Sequence, residues 1–317
     1  MRCRICGNSR ENKEFTAREM MFGFREEFIY FECAQCGCLQ IAEIPVDVAR
    51  YYPSNYYSFE PARNQRVVPF KAWLKRQRSR YGLTGRGILG ALLFRIFPAR
   101  ELLSLQRAKV GQHSKILDVG TGSGSLLREL WNAGYKNILG IDPLVEQTIH
   151  YPDGPIVLKA ALDDITGKWD LIMFHHSFEH IADPRETLRQ CSKILNPNGI
   201  CLIRIPIASS YAWRKYGANW VQLDPPRHFF LHTLQSMEVL AADANFKLVD
   251  VMYDSTEFQF WGSEQYMRDI PLYDERSYKM NPSKSIFSAS EIQAFRRLAG
   301  MLNSRQEGDQ AAFYLKK

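Results

Sequence analysis

From residue 115 onward, short blocks of consecutive apolar residues alternate with longer stretches in which apolar residues return every three or four positions. That alternation is expected of buried parallel strands joined by amphipathic helices. The apolar blocks predict strands over 115–119, 137–141, 155–158, 170–175 and 200–205, with helices over 125–133, 184–195 and 235–244. Segments 247–253 and 311–315 are expected to close the sheet as an antiparallel pair. The resulting expectation is an α/β fold, a doubly wound, mostly parallel sheet of seven strands.

The pattern before residue 115 differs. Residues 1–44 carry two short apolar blocks, Phe28-Ile29-Tyr30-Phe31 and Leu39-Gln40-Ile41, set among cysteine pairs. Residues 45–111 begin with an aromatic run from Tyr51 to Phe59. Phe70, Trp73 and Leu74, then Leu89, Leu92, Leu93 and Ile96, follow at helical spacing. Three regions result: a small cysteine ribbon (1–44), a helical basic linker or cover (45–111) and the α/β domain (112–317).

A composition of 45% hydrophobic and 24% charged residues excludes fibrous and disordered classes. The longest uncharged apolar run, near 87–94, is far short of the ~20 residues that span a bilayer. Met1-Arg2-Cys3-Arg4-Ile5-Cys6 holds no apolar stretch of signal-peptide type, so a cytoplasmic location with reduced cysteines is expected.

The net charge of +7 is concentrated in one place. Between Arg63 and Lys109, twelve Lys and Arg face a single acid, Glu101, so the rest of the chain is slightly acidic. Three readings of this segment stay open: a solvated helix face, a peripheral contact with the anionic inner face of a membrane, or a nucleic-acid contact, the last being the least expected.

Cys3-x2-Cys6 and Cys33-x2-Cys36 form two knuckles separated by 26 residues, each followed by glycine. Four thiolates at that spacing suit a structural Zn2+, which stabilises a unit too small for a core of its own. Cys38 is an alternative fourth ligand, whereas Cys191 and Cys201 fall on apolar positions and read as packing residues.

The chemistry concentrates at Ile116-Leu117-Asp118-Val119-Gly120-Thr121-Gly122-Ser123-Gly124, where an apolar strand enters a glycine turn that opens a helix. Backbone N–H groups there can face a ligand without Cβ obstruction. Asp142, followed by Pro143, ends the next strand and is placed to take the hydroxyls of a ribose. Dinucleotide sites need a third glycine where this chain has Ser125. Asp118 would also repel a pyrophosphate while attracting a cationic amino-acid group.

On these residues, segment 115–253 resembles class I S-adenosylmethionine (SAM)-dependent methyltransferases. Asp170-Leu171-Ile172-Met173-Phe174-His175-His176-Ser177-Phe178-Glu179-His180 is similar to that family's motif after the fourth strand. The resemblance implies a Rossmann-like methyltransferase sheet with SAM as cofactor. It puts Asp118, Gly120 and Gly124, with Thr121 and Gly122 of the same turn, on the methionine part and Asp142 with Pro143 on the ribose. Ala161 and Leu162 would flank the adenine, and His175 would lie near the cofactor.

Methyl transfer to oxygen needs a base, and His176, His180, His228 and His232 are all expected at the ligand end of the sheet. His180 or His228 is the expected base, with Glu179 and His176 beside it. Some quinone-type O-methyltransferases carry Glu-x-x-Glu-His at this place and bind a divalent metal there. His176 replaces the first glutamate here, and a catalytic metal is not part of the expectation.

A long loop with Tyr211, Trp213, Tyr216 and Trp220 leads to Asp224-Pro225-Pro226-Arg227, and Trp220, Arg227 and Tyr266 are expected to touch the acceptor. The stretch 220–232, the run 51–59, Glu264-Gln265-Tyr266 and the tail 308–315 look like bacterial methyltransferases of surface-polysaccharide and sugar biosynthesis. That resemblance implies O-methylation of a sugar hydroxyl on a nucleotide sugar, a polysaccharide or a lipid-linked glycan. The alternatives are an RNA methyltransferase that uses the ribbon and basic helices, and a SAM-binding scaffold without chemistry.

Overall fold

A computed structural model describes residues 1–53, 58 and 69–317. Most of the aromatic run, and Arg63 and Arg66 of the basic segment, therefore lie outside the described residues. The chain opens with three antiparallel strands, β1 (Lys13–Arg18), β2 (Glu27–Glu32) and β3 (Leu39–Ile41). The two knuckles flank this meander. Gly7 (φ +81°) and Gly37 (φ +68°) take left-handed conformations that a residue with a Cβ adopts only under strain. They turn the chain so that their N–H groups return to the carbonyls of Cys3 and Cys33.

Three helices follow: α1 (Pro69–Thr84), α2 (Ile88–Ile96) and α3 (Arg100–Arg107). The sheet domain then runs β4 (Ile116–Val119), α4 (Ser125–Ala133), β5 (Ile138–Ile141), β6 (Ile149–His150), β7 (Ile156–Leu158), β8 (Trp169–His175), α5 (Pro184–Ile194) and β9 (Leu195–Pro206). It continues with α6 (Tyr211–Tyr216), β10 (Phe230–Leu231), α7 (Leu234–Asp243), β11 (Lys247–Tyr253), α8 (Phe258–Tyr266), α9 (Ala289–Ser304) and β12 (Gln310–Lys316). The main sheet has the order β11-β12-β9-β8-β4-β5-β7-β6, eight strands where seven were expected. The extra one is β6, two residues paired antiparallel to β7 at the edge, too short for an apolar pattern to reveal.

Local chemistry explains several boundaries. Asp183 accepts the N–H of Glu186 and Pro184 occupies the first turn, which starts α5. Thr233 and Ser236 cap each other at the start of α7. β12 lies between β9 and β11, antiparallel to both, as the tail pattern implies.

The ribbon does not sit apart from the sheet domain. β10 pairs with β3, Phe230 opposite Gln40 and Leu231 opposite Leu39, giving a four-stranded second sheet. One apolar cluster runs from Tyr30, Phe31 and Leu39 through Phe230 and Leu231 to Phe174 and Ile203. Tyr30 is fully buried and donates to the carbonyl of His228 at 2.8 Å. Among the described residues, no helix is long and apolar enough to cross a membrane.

An ion triad at this junction ties ribbon to domain. The Arg227 guanidinium, fully buried, donates to Asp224 at 2.6 and 2.9 Å, to Glu19 at 2.8 Å and to the carbonyl of Tyr51 at 3.2 Å. Glu19 also accepts the N–H groups of Phe22 and Phe24, which closes the turn between β1 and β2. Removing one partner of such a set strands the other charges without solvent. Arg227→Ala is expected to cost about 3–5 kcal/mol in urea unfolding; a loss below about 1 kcal/mol, the level of surface pairs, would show that the triad carries no such burden.

Candidate cofactor and acceptor site

β4 has β5 on one side and β8 on the other, so the chain direction around the sheet reverses there, and a crevice opens beyond the carboxyl ends of these strands. A cavity of about 410 Å3 occupies it, the size of a small-molecule site. Its walls include Gly120, Asp142, Pro143, Ala161, Leu162, His176 and His180.

The glycine turn is packed as closely as its composition suggests. Gly120 has φ +72°, and a Cβ there would lie 2.4 Å from the Cβ of Ser177, whose hydroxyl donates to the carbonyl of Val119 at 2.6 Å. Asp142 accepts the N–H of Gly122 at 2.8 Å on one oxygen and that of Leu144 at 2.9 Å on the other. Burial raises its pKa. With one N–H on each oxygen and a face on the cavity, the carboxylate keeps lone pairs for a vicinal diol.

Asp118 at the end of β4, and Thr121, Gly122 and Gly124 of the turn, are not on the cavity wall. Burial pushes the Asp118 carboxyl up to about 7 against the pull of the Thr121 hydroxyl, which donates to it at 2.6 Å. His175 requires a correction: both its ring nitrogens are buried without a hydrogen-bond partner among the described residues, it does not line the cavity, and burial beside Arg204 keeps it neutral. His175 ends β8 half-buried, and the next residue, His176, lines the cavity with φ +53°.

On the acceptor side, His180 is the imidazole whose surroundings define its tautomer. Its Nδ1 lies 2.8 Å from the carbonyl of Arg227, which can only accept, so Nδ1 carries the proton and Nε2 keeps its lone pair. The Tyr52 hydroxyl lies 3.0 Å from the same Nδ1. His228 repeats the arrangement with Nδ1 2.8 Å from the carbonyl of Gln222. Unlike His180 it is buried off the cavity, and burial together with His180 holds its pKa down to about 4.

Glu179 lies behind both rings, fully buried. Burial would raise its pKa, but His176, His180 and His228 outweigh it and hold the carboxyl at about 2. Its oxygens come within 3.5 Å of His176 Nδ1 and 3.9 Å of His228 Nε2. His176 Nε2 in turn faces Arg204 Nη1 at 2.9 Å, and Arg204 Nε donates to Asp254 at 2.6 Å.

Three expected acceptor contacts are corrected. Trp220 is fully buried and its indole donates to Asp309 at 2.9 Å; Arg227 belongs to the interior triad; Tyr266 is buried against the Met20–Trp261 cluster. His232 is also interior, its pKa driven down to about 3 by burial. Conversely, the sequence reading passed over Tyr52 and Ser177, and over the α5 face made by Asp183, Glu186, Thr187 and Gln190, all on the cavity wall. Their spacing of three, four and seven residues was the available signal, a polar helical stripe after the strand-end motif.

Among the described residues, two side-chain groups could hold a metal ion, each with its ligand atoms within 4.8 Å of one another. In the first, Cys3 and Cys36 sulfurs lie 3.7 Å apart and Cys6 and Cys33 sulfurs 3.5 Å apart, close to the ~3.8 Å edge of a tetrahedron with Zn–S near 2.3 Å. The hydrogen bond that the Cys3 and Cys36 sulfurs share lowers the pKa of Cys3 and raises that of Cys36. Cys38 stays out of the cluster, directed at the carbonyl of Leu39. The second group is Glu179, His180 and His228. His176 is engaged with Arg204 and is not part of it.

Comparison with known proteins adds to this geometry. The chain is 27% identical over 173 residues to a ubiquinone biosynthesis O-methyltransferase of Psychrobacter cryohalolentis, covering 46% of this chain and 65% of that protein. It is 29% identical over 163 residues to a mitochondrial ubiquinone biosynthesis O-methyltransferase of Saccharomyces cerevisiae, covering 43% of this chain and 50% of the yeast protein. The matches thus span about half to two thirds of those relatives. A cyclopropane synthase of Mycobacterium tuberculosis is similar in structure at 16% identity and a TM-score of 0.46, covering 80% of this chain and 100% of that one. Residues 93–251, half of the chain, match a family described as a methyltransferase domain. Matched to that family over half of its length, the chain belongs to the methyltransferase-domain family.

Proposed function

We propose that this chain is a SAM-dependent O-methyltransferase in which His180 takes the proton of an acceptor hydroxyl, and that the acceptor is a saccharide, as a nucleotide sugar or a glycan. The observation that carries the reading is the His180 ring on the cavity wall, its Nδ1 clamped by the Arg227 carbonyl and its Nε2 without a hydrogen-bond partner among the described residues. SAM would lie along the glycine turn, its ribose on Asp142 and its adenine between Ala161 and Leu162.

Bound there, SAM would supply the methyl group to an oxygen lone pair of the acceptor, with the C–S bond breaking in line and the sulfur keeping its electron pair, and His180 Nε2 would take the hydroxyl proton. The buried Glu179 carboxylate, ionised at neutral pH, stabilises the imidazolium that results. His228 does not share this work, because it is buried off the cavity.

The saccharide part rests on the resemblance of 220–232 and of the tail 308–315 to sugar-biosynthesis methyltransferases, not on Trp220, Arg227 or Tyr266, which are interior. A second reading, a phenolic hydroxyl of a quinol-type acceptor, is favoured by the names of the relatives. Methyl-labelled SAM offered with separate pools of nucleotide sugars, lipid-linked glycans, quinol analogues and RNA separates them. Label in a saccharide pool supports the proposal, and label only in quinol or RNA overturns its acceptor.

Two substitutions should separate binding from chemistry. Asp142→Ala is expected to raise the SAM dissociation constant at least about tenfold in calorimetry, since hydrogen bonds to a charged group contribute ~1.5–3 kcal/mol. His180→Ala is expected to leave that constant within about twofold while lowering the single-turnover methyl-transfer rate ~10²–10⁴-fold. A His180→Ala enzyme of undiminished rate would remove the base from the account.

The four-cysteine cluster is proposed to hold a structural Zn2+. Purified protein is expected to contain about one zinc per chain, and Cys33→Ala to lose both the metal and a large part of the thermal stability, because metal affinity here is folding free energy. Protein that is metal-free yet equally stable would refute the assignment.

A further inference from the structure

The α1–α2 hairpin has its apolar residues on the wrong side for a soluble protein. α2 packs against α1 through a small-residue contact: a Cβ on Gly90 would lie 2.5 Å from the Gln77 carbonyl and 2.7 Å from Tyr81 Cβ. Phe94 also turns inward onto Tyr81. The opposite face of α2 presents Ile88, Leu92 and Ile96, one residue per turn, at 85, 58 and 66% exposure. Phe97 just beyond it is 61% exposed, and on α1 Phe70 and Trp73 stack on each other at 5.9 Å with Phe70 64% exposed.

These apolar side chains stand within a basic surround. Lys71, Arg76 and Arg80 on α1 and Arg86 and Arg95 at the ends of α2 are exposed, and none forms a salt bridge among the described residues. The hairpin is anchored to the sheet domain on its other side, where Arg78 and Ser79 bond Glu129 of α4 at 2.6 and 2.5 Å. The apolar face therefore has a fixed orientation.

We propose that this face docks the protein on an anionic lipid surface, with Ile88, Leu92, Ile96 and Phe97 entering the acyl boundary and the surrounding Lys and Arg meeting lipid phosphates. Three alternatives fit the surface less well. A second copy meeting it through a two-fold axis would bring the same cations face to face. Nucleic acid would satisfy the cations but leave three exposed aliphatic side chains without a partner. A merely solvated face does not need an aliphatic side chain at every turn. Lipid answers both the charge and the apolar stripe, since apolar burial and attraction to anionic headgroups act together on an interfacial helix.

The test is co-sedimentation of the full chain with vesicles of phosphatidylcholine alone or mixed in equal parts with phosphatidylglycerol. Two double variants, Ile88→Ser with Ile96→Ser and Arg86→Glu with Arg95→Glu, lie away from the cavity, and unchanged SAM affinity certifies their folding. The expected result is binding to mixed vesicles at least about tenfold tighter than to neutral ones, with each double variant losing at least about tenfold. Binding to neither vesicle would overturn the proposal. So would a concentration-dependent dimer abolished by the serine pair without vesicle binding, or steeply salt-dependent binding to RNA alone. None of these outcomes touches the methyl-transfer reading, which is scored separately by labelled product.

Discussion

The buried charge of Arg227 is the constraint on which the remaining features depend. A guanidinium without solvent must have all of its compensation supplied by the fold. Asp224 supplies it from the same loop, Glu19 from the turn between two ribbon strands and the Tyr51 carbonyl from the segment between ribbon and helices. Three regions that composition separates are thereby held at one point. With Arg227 fixed, its own carbonyl is fixed, and that carbonyl sets the tautomer of His180. The next residue, His228, is held by Tyr30 of the ribbon at its carbonyl and by Gln222 at its ring. The ribbon thus acts on the site through a loop that it braces from behind, without a residue on the cavity wall.

Around this junction the electrostatics form a graded series. The Glu179 carboxyl is lowered to about 2 against its burial, first by His176, whereas Asp118, buried with one hydroxyl partner and Asp142 nearby, is pushed up to about 7. His175, His228 and His232 are all kept neutral by burial. Among the histidines of the strand-end motif, His176 and His180 reach the cavity, and His176 already accepts from Arg204. Burial and engagement therefore single out His180, a distinction that residue type alone cannot make.

Features whose signal is local were legible in the sequence. α4 occupies the residues that the spacing predicts, the glycine turn and Asp142 meet as the strand order requires, and the knuckle cysteines converge because the glycine after each pair permits the turn. Where the signal is non-local, the reading failed. Arg227 and Trp220 looked like acceptor contacts because polar and aromatic side chains on a long loop suit either a ligand or a buried partner. Their partners, Glu19 and Asp309, stand 208 and 89 residues away. His175 and His176 are adjacent and chemically identical, and only the left-handed turn at His176 decides which one faces the cavity. The strand β9 begins at Leu195 instead of near residue 200 because pairing with β8 extends it through a polar stretch that carries no strand pattern.

The central claim, that His180 is presented with Nδ1 protonated and Nε2 free, is open to direct reading by nitrogen-15 NMR of the imidazoles in the SAM-bound protein, with His180→Gln to assign the signal. The account predicts that the neutral form of the ring carries its proton on Nδ1. A neutral ring protonated on Nε2 would contradict it.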